Sequence, residues 1–87
     1  VEWNKASMVF TLKDEPGSLS SYLGIFSRYN LSMTKIESRP VHGKPWRYSF
    51  YVDVAIDGDY KLFEKIENEL KEEAEDFRVL GLYKSFI

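Results

Sequence analysis

The chain has 87 residues and a mass of 10.2 kDa, enough for one small domain over residues 1–87, since a chain this short buries only about 60–65% of the surface its unfolded form exposes. Its residues are 44% hydrophobic and 30% charged with no cysteine, which excludes a disordered chain, a disulfide scaffold, a thiolate metal site and a cysteine nucleophile. Twelve basic against 14 acidic side chains give a net charge of −2, a poor start for binding by phosphate neutralisation. No apolar run approaches the roughly 20 residues that cross a bilayer, and no signal-peptide pattern opens the chain. A cytoplasmic domain is expected, with neither nucleic acid nor membrane as partner. The start at Val1 instead of Met suggests a piece of something longer.

From Ala6 to Lys13, Met8, Phe10 and Leu12 share one face while Ser7, Thr11 and Lys13 share the other, with Val9 out of place. This period of two predicts a strand. Asp14-Glu15-Pro16-Gly17 breaks it: Pro16 has no N–H to donate, and Gly17 can adopt backbone angles closed to other residues. From Ser18 to about Tyr29, Leu19, Tyr22, Leu23 and Phe26 recur every three or four residues, which predicts a helix with one buried stripe. Asn30 is suited to end it in the left-handed conformation.

A second strand is expected from about Ser32 to Arg39. Leu31 and Met33 are in phase with each other while Ile36 is out of phase, so a bulge or a late start is expected. Pro40 should close this strand, and Val41-His42-Gly43-Lys44-Pro45 should form a loop. The third strand is the clearest: Trp46, Tyr48, Phe50, Val52, Val54 and Ile56 alternate without a fault against polar or small residues, and all six are assigned to the covered face. Asp57-Gly58-Asp59 should turn the chain, with Asp59 capping a helix that buries Tyr60, Phe63, Ile66, Leu70 and Ala74. Phe77 to Tyr83 reads as a fourth strand, weakened by Gly81.

The order βαββαβ predicts a ferredoxin-like α+β sandwich, a four-stranded antiparallel sheet with two helices on one face. The second strand then lies at an edge, and its unpaired backbone groups invite pairing with a second copy.

That architecture hosts many functions, so the residues must decide. His42 is the one histidine, in a Gly/Pro loop without partners for catalysis or metal binding, and the carboxylates gather on the second helix as a solvated face. No enzyme activity, metal or cofactor is expected. Arg47-Tyr48-Ser49-Phe50-Tyr51-Val52 superficially resembles an RNA-binding sheet motif, but Tyr48 stands where glycine is needed, and the alternation explains Tyr48 and Phe50 as core. The turn at Asp14 to Leu19 is different in kind. The free N–H groups at a helix start favour a small anion, and Gly17 lets it come close. Asp14 suits an ammonium group, and Leu19 with Leu31 an apolar socket. Together they describe an amino acid, though composition and spacing alone favour the plainer explanation of Asp14, Pro16 and Gly17 as turn residues.

Gly17-Ser18-Leu19-Ser20 resembles the Gly-Ala-Leu turn of the ACT regulatory domain, and Glu37-Ser38-Arg39-Pro40 is identical to that family's Glu-Ser-Arg-Pro signature. Val9 to Gly17, Thr34 to Pro40, Phe50 to Asp53 and Arg78 to Gly81 match as well, the last two more like prephenate dehydratases than aromatic amino acid hydroxylases. Ser18 stands where alanine is usual, and Leu82 where the dehydratases tend to have serine. The resemblance implies the C-terminal regulatory piece of a prephenate dehydratase that senses L-phenylalanine and inhibits a catalytic domain not contained in this chain. It implies a homodimer with ligand between the copies, one giving Asp14, Pro16, Gly17, Ser18 and Leu19 and the other Glu37, Ser38 and Arg39. Glu37 and Arg39 have a second explanation, as a salt link holding the strand end. A hydroxylase-type regulatory domain and a ligand-free dimerisation module are the alternatives.

Overall fold

A computed structural model of the chain describes residues 3–56 and 60–84. The elements are β1 (Lys5–Lys13), α1 (Ser18–Arg28), β2 (Ser32–Val41), β3 (Lys44–Ala55), α2 (Tyr60–Glu73) and β4 (Asp76–Tyr83). All neighbouring strands are antiparallel, in the order β2-β3-β1-β4. This is the ferredoxin-like arrangement expected from the sequence, with β2 at an edge.

Alternation sorts the sheet into two faces. Ala6, Met8, Phe10 and Leu12 of β1 and Phe50, Val52 and Val54 of β3 are buried in one cluster with Tyr22, Ile25 and Phe26 of α1 and Phe63, Ile66 and Leu70 of α2. Both helices therefore cover the same face. Phe10 is fully buried at the centre, its ring centroid 4.3 Å from Tyr22, 5.5 Å from Phe50 and 6.2 Å from Phe26. Val9, the exception to the alternation, is buried too but belongs to the opposite, helix-free face, between Tyr51 and Arg78 in the register.

Several expectations change where tertiary context overrides local pattern. Trp46 is not core: it is 68% exposed, because β3 starts at Lys44 while the last residue of β1 pairs with Arg47, so the indole overhangs the layer. Tyr60 is 61% exposed at the start of α2, its ring edge-on to Trp3 with the centroids 5.4 Å apart. Pro40 does not end β2; it pairs with Tyr48 inside the strand, tolerable because an edge strand needs no donor on its free side. The expected loop shrinks to a turn at His42 and Gly43, with Gly43 at φ 80° and Lys44 and Pro45 inside β3. The expected bulge in β2 is real: the register skips Thr34, which returns Met33 and Ile36 to one face. A second slip opposite Ser7 and Met8 leaves Leu80 as the extra residue of β4, beside the Gly81 that weakened the strand. The turn at Asp57-Gly58-Asp59 and the cap by Asp59 lie outside the described residues.

Helix α1 ends as its sequence asks. Asn30 has φ 55°, the Leu31 amide donates to the Phe26 carbonyl at 3.0 Å, and the Asn30 amide donates to the Ser27 carbonyl at 3.1 Å, a Schellman stop. Two polar links tie α1 to α2. The Tyr22 hydroxyl donates to the Leu70 carbonyl at 2.9 Å; burial, helped by the Glu73 carboxylate, pushes this phenol well above its ordinary value, so it stays a donor. Near the other end, Glu69 accepts from the Tyr29 hydroxyl at 2.6 Å and from Arg28.

The Tyr29 hydrogen bond, with Arg28 behind it, holds the Glu69 carboxyl below its ordinary 4.5. Below that value the unfolded chain takes up the proton first, so the link stabilises above about pH 4.5 and its contribution is lost as pH falls through the lowered folded value. Melting temperatures measured from pH 6 downward should fall less steeply for Glu69→Gln than for the unaltered chain, and identical slopes would remove Glu69 from the acid limb.

Candidate functional site

β1 ends with Lys13 opposite Arg47, and the next amide, Asp14, donates to the Trp46 carbonyl at 2.9 Å. The Glu15 amide turns back onto the Lys13 carbonyl at 2.9 Å, and Ser18 donates to Glu15 at 3.1 Å. This folded-back hook places Gly17 at φ 80° and ψ −6°, the position before α1, with no side chain capping the helix. Ser21 donates to the Gly17 carbonyl at 2.9 Å, so the amides of Leu19 and Ser20 are those the helix start leaves over. Asp14, Glu15, Pro16 and Gly17 are exposed, whereas Ser18 and Leu19 are half-buried. A Cβ at residue 17 would meet nothing within 4 Å. The hook is open to solvent, and anything filling it comes from outside this chain.

Glu37, Ser38, Arg39 and Pro40 lie on the edge strand β2, opposite Tyr51, Phe50, Ser49 and Tyr48. Their side chains therefore part company. Ser38 and Ile36 fall on the helix side, with Ile36 still 45% exposed on this edge strand. Glu37 and Arg39 fall on the helix-free face, where Arg39 Nη2 is 3.6 Å from Glu37 Oε2, Lys35 Nζ is 3.4 Å from Glu37 Oε1, and the Arg39 guanidinium lies 5.4 Å from the Tyr51 ring centroid. The salt link expected of Glu37 and Arg39 is thus formed, and because both are well exposed it is worth no more than about 1 kcal/mol.

One chain does not bring these parts together. The hook follows β1 and the signature is on β2, two strands away with β3 between, about 10 Å across the sheet. Leu31 is farther still: it precedes Ser32, which pairs with Ala55, whereas the hook lies by Arg47 at the opposite end of β3. Leu19 and Leu31 both pack on the core, from opposite ends, and form no shared socket within the chain. The edge of β2 away from β3 pairs with no described strand, and Ser38 lies on that strand.

Sequence reasoning missed Trp46. Its indole borders an open depression of about 700 Å³ lined by Gly43, Lys44, Pro45, Arg47 and Glu75, and its carbonyl anchors the hook. Arg47 Nε reaches Glu75 Oε2 at 2.5 Å across the same place. Only the register reveals this, since the alternation of β3 continues through Trp46 with no sign that the cover has ended. Among the described residues no group of His, Cys, Asp or Glu is placed to hold a metal, and no helix is long and apolar enough to cross a membrane.

A family model described as the ACT domain matches residues 6–75. A bifunctional chorismate mutase/prephenate dehydratase of Aquifex aeolicus is 42% identical over 80 residues, which are 92% of this chain and 22% of that protein. Among solved structures, a prephenate dehydratase of Arthrobacter aurescens in complex with L-Phe superimposes with a TM-score of 0.81 at 27% identity, over 94% of this chain and 27% of that one. A protein described as a novel type of quorum quenching acylase, GqqA, superimposes with a TM-score of 0.83 at 25% identity, over 93% of this chain and 42% of that one. The chain thus spans about a fifth of the length of the curated relatives it matches, and the remainder of their length has no counterpart in these 87 residues.

Proposed function

From the premise that the chain belongs to the ACT domain family, we propose that it is the C-terminal regulatory part of a prephenate dehydratase and senses L-phenylalanine for feedback inhibition. The observation that carries this reading is the αL hook at Gly17 with its spare helix-start amides, in a chain whose edge strand two strands away bears Glu37-Ser38-Arg39-Pro40. The complex of the Arthrobacter aurescens relative with L-Phe supports the choice of ligand. The curated relative named above is a dehydratase, which favours this family member over a hydroxylase.

In this reading two copies pair along β2. The hook of one copy offers amides from Leu19 and Ser20 to the ligand carboxylate and the Asp14 carboxylate to its ammonium group, with Pro16, Ser18 and Leu19 shaping the wall. The partner offers Ser38, which faces the helix side with Ile36. Glu37 and Arg39 bind less directly, by stiffening the strand that presents Ser38. Phenylalanine then favours one arrangement of the paired domains, and a coupling of about 1–3 kcal/mol passed to the catalytic domain in cis is a typical size. The site requires no cofactor.

Calorimetric titration of the 87-residue chain with L-phenylalanine should give saturable heat, with weaker responses to tyrosine and tryptophan. Ser38→Ala should weaken binding by about one hydrogen bond, roughly 0.5–1.5 kcal/mol. Absence of heat at millimolar phenylalanine would leave a dimerisation module as the better reading.

A further inference from the structure

The sheet order puts β1 between β3 and β4, so a side chain that joins β3 to the start of β4 beside the hook must cross the last residues of β1. Arg47 makes that crossing. Its Nε donates to Glu75 Oε2 at 2.5 Å, and its Nη1 donates to the Trp46 carbonyl at 3.2 Å. Glu75 is itself tied down, because its amide donates to the Thr11 carbonyl at 3.0 Å. The Trp46 carbonyl also accepts from the Asp14 amide at 2.9 Å, the bond with which the chain leaves the sheet and enters the hook. One guanidinium therefore holds the acceptor of the hook's first hydrogen bond and fastens it to the residue just before β4. The Arg47 side chain is 28% exposed, whereas Arg28, Lys35, Arg39 and Lys71 in other ion pairs are more than half exposed. Partial burial lessens screening and leaves the side chain fewer conformations, so this clasp is stiffer than an ordinary surface pair.

We propose that Arg47 is a positioning residue of the phenylalanine site, acting through the Trp46 carbonyl on Asp14. This assignment rests on the hook being that site, and it gives Arg47 no contact with the ligand. Asp14 is exposed, so the direction of its carboxylate follows its backbone, and the backbone follows the Trp46 carbonyl. With that carbonyl fixed from two sides, the hook waits in the shape that receives the ammonium and carboxylate groups. A carbonyl free to tilt lets the hook populate other shapes, and the apparent affinity then falls with the fraction that remains competent. Glu75 acts one step further back, by holding the guanidinium over the end of β1.

Calorimetry of the 87-residue chain with L-phenylalanine, and amide exchange of the same chain without ligand, test this. Arg47→Met keeps the aliphatic stem and removes every donor. Its affinity should fall roughly two- to tenfold, the worth of one hydrogen bond, and the Asp14 amide of the ligand-free variant should exchange faster by a similar factor. Glu75→Ala should do less, since Arg47 keeps its bond to the carbonyl. Glu75→Ala combined with Arg47→Met should be no worse than Arg47→Met alone, because Glu75 acts only through Arg47. Arg47→Lys, whose single ammonium group can hold one of the two acceptors, should recover part of the affinity. Arg28→Gln is the control: it breaks the pair with Glu69 at the far end of α1 and should lower the melting temperature without changing affinity. Unchanged affinity or unchanged Asp14 exchange in Arg47→Met, a double variant whose losses add, or an equal loss of affinity in Arg28→Gln would overturn the proposal. If the unaltered chain gives no heat, the sensor reading falls and this assignment with it. Heat from the unaltered chain with Arg47→Met binding equally well sinks the assignment alone, so the two failures are told apart.

Discussion

Replacing Gly17 with valine is expected to weaken L-phenylalanine binding at least tenfold, about 1.4 kcal/mol, and still leave a folded domain. Gly17 has φ 80° and a Cβ there would touch nothing within 4 Å, so the damage is not a clash inside the fold. It has two sources. A left-handed conformation costs an L-residue roughly 1–2 kcal/mol, more for a branched one, and relaxing the backbone to negative φ would re-aim the Leu19 and Ser20 amides. If the backbone instead holds, two methyl groups occupy the space a carboxylate would use. Gly43→Val is the control, because Gly43 has the same φ and the same empty surroundings at the hairpin between β2 and β3. Both variants should melt at similarly lowered temperatures, and only Gly17→Val should lose affinity in calorimetry. Equal affinity in a folded Gly17→Val protein would take the hook out of the site.

The contrast between those glycines also shows what the sequence made legible. Gly17 was readable because Pro16 stops the strand and an apolar stripe of helical period begins just after it, two signals that meet at one residue. Asn30 was readable for the same reason. Whatever depends on which strand lies alongside was hidden: Trp46 continues a faultless alternation yet overhangs the core, because its cover depends on where β1 stops. The division of the Glu37 to Pro40 signature between two faces also needs the register, and the Thr34 bulge decides it by setting the parity of everything after Met33.

Phe10→Ala should bring the domain close to unfolding, through the same packing that holds the hook in place. Phe10 is fully buried and meets rings from α1 and β3 at 4.3 to 6.2 Å, so its removal opens a cavity walled by two elements that cannot both close in. Such a deletion costs about 3–5 kcal/mol, against a typical total of 5–15 kcal/mol that a small domain does not exceed. For a chain of this size the melting temperature should fall by roughly 12–40 °C. Val9→Ala, one residue away, serves as comparison: Val9 lies on the helix-free face, outside the main cluster, and should cost less. Tyr22 and Phe26, the α1 rings against Phe10, lie one and two turns beyond Gly17, so loosening them frees the helix whose first amides form the hook. Saturating phenylalanine stabilises only the folded state, and scanning calorimetry should therefore recover part of the lost melting temperature. A Phe10→Ala chain that melts like the unaltered one would mean that α1 is seated by contacts other than this aromatic cluster.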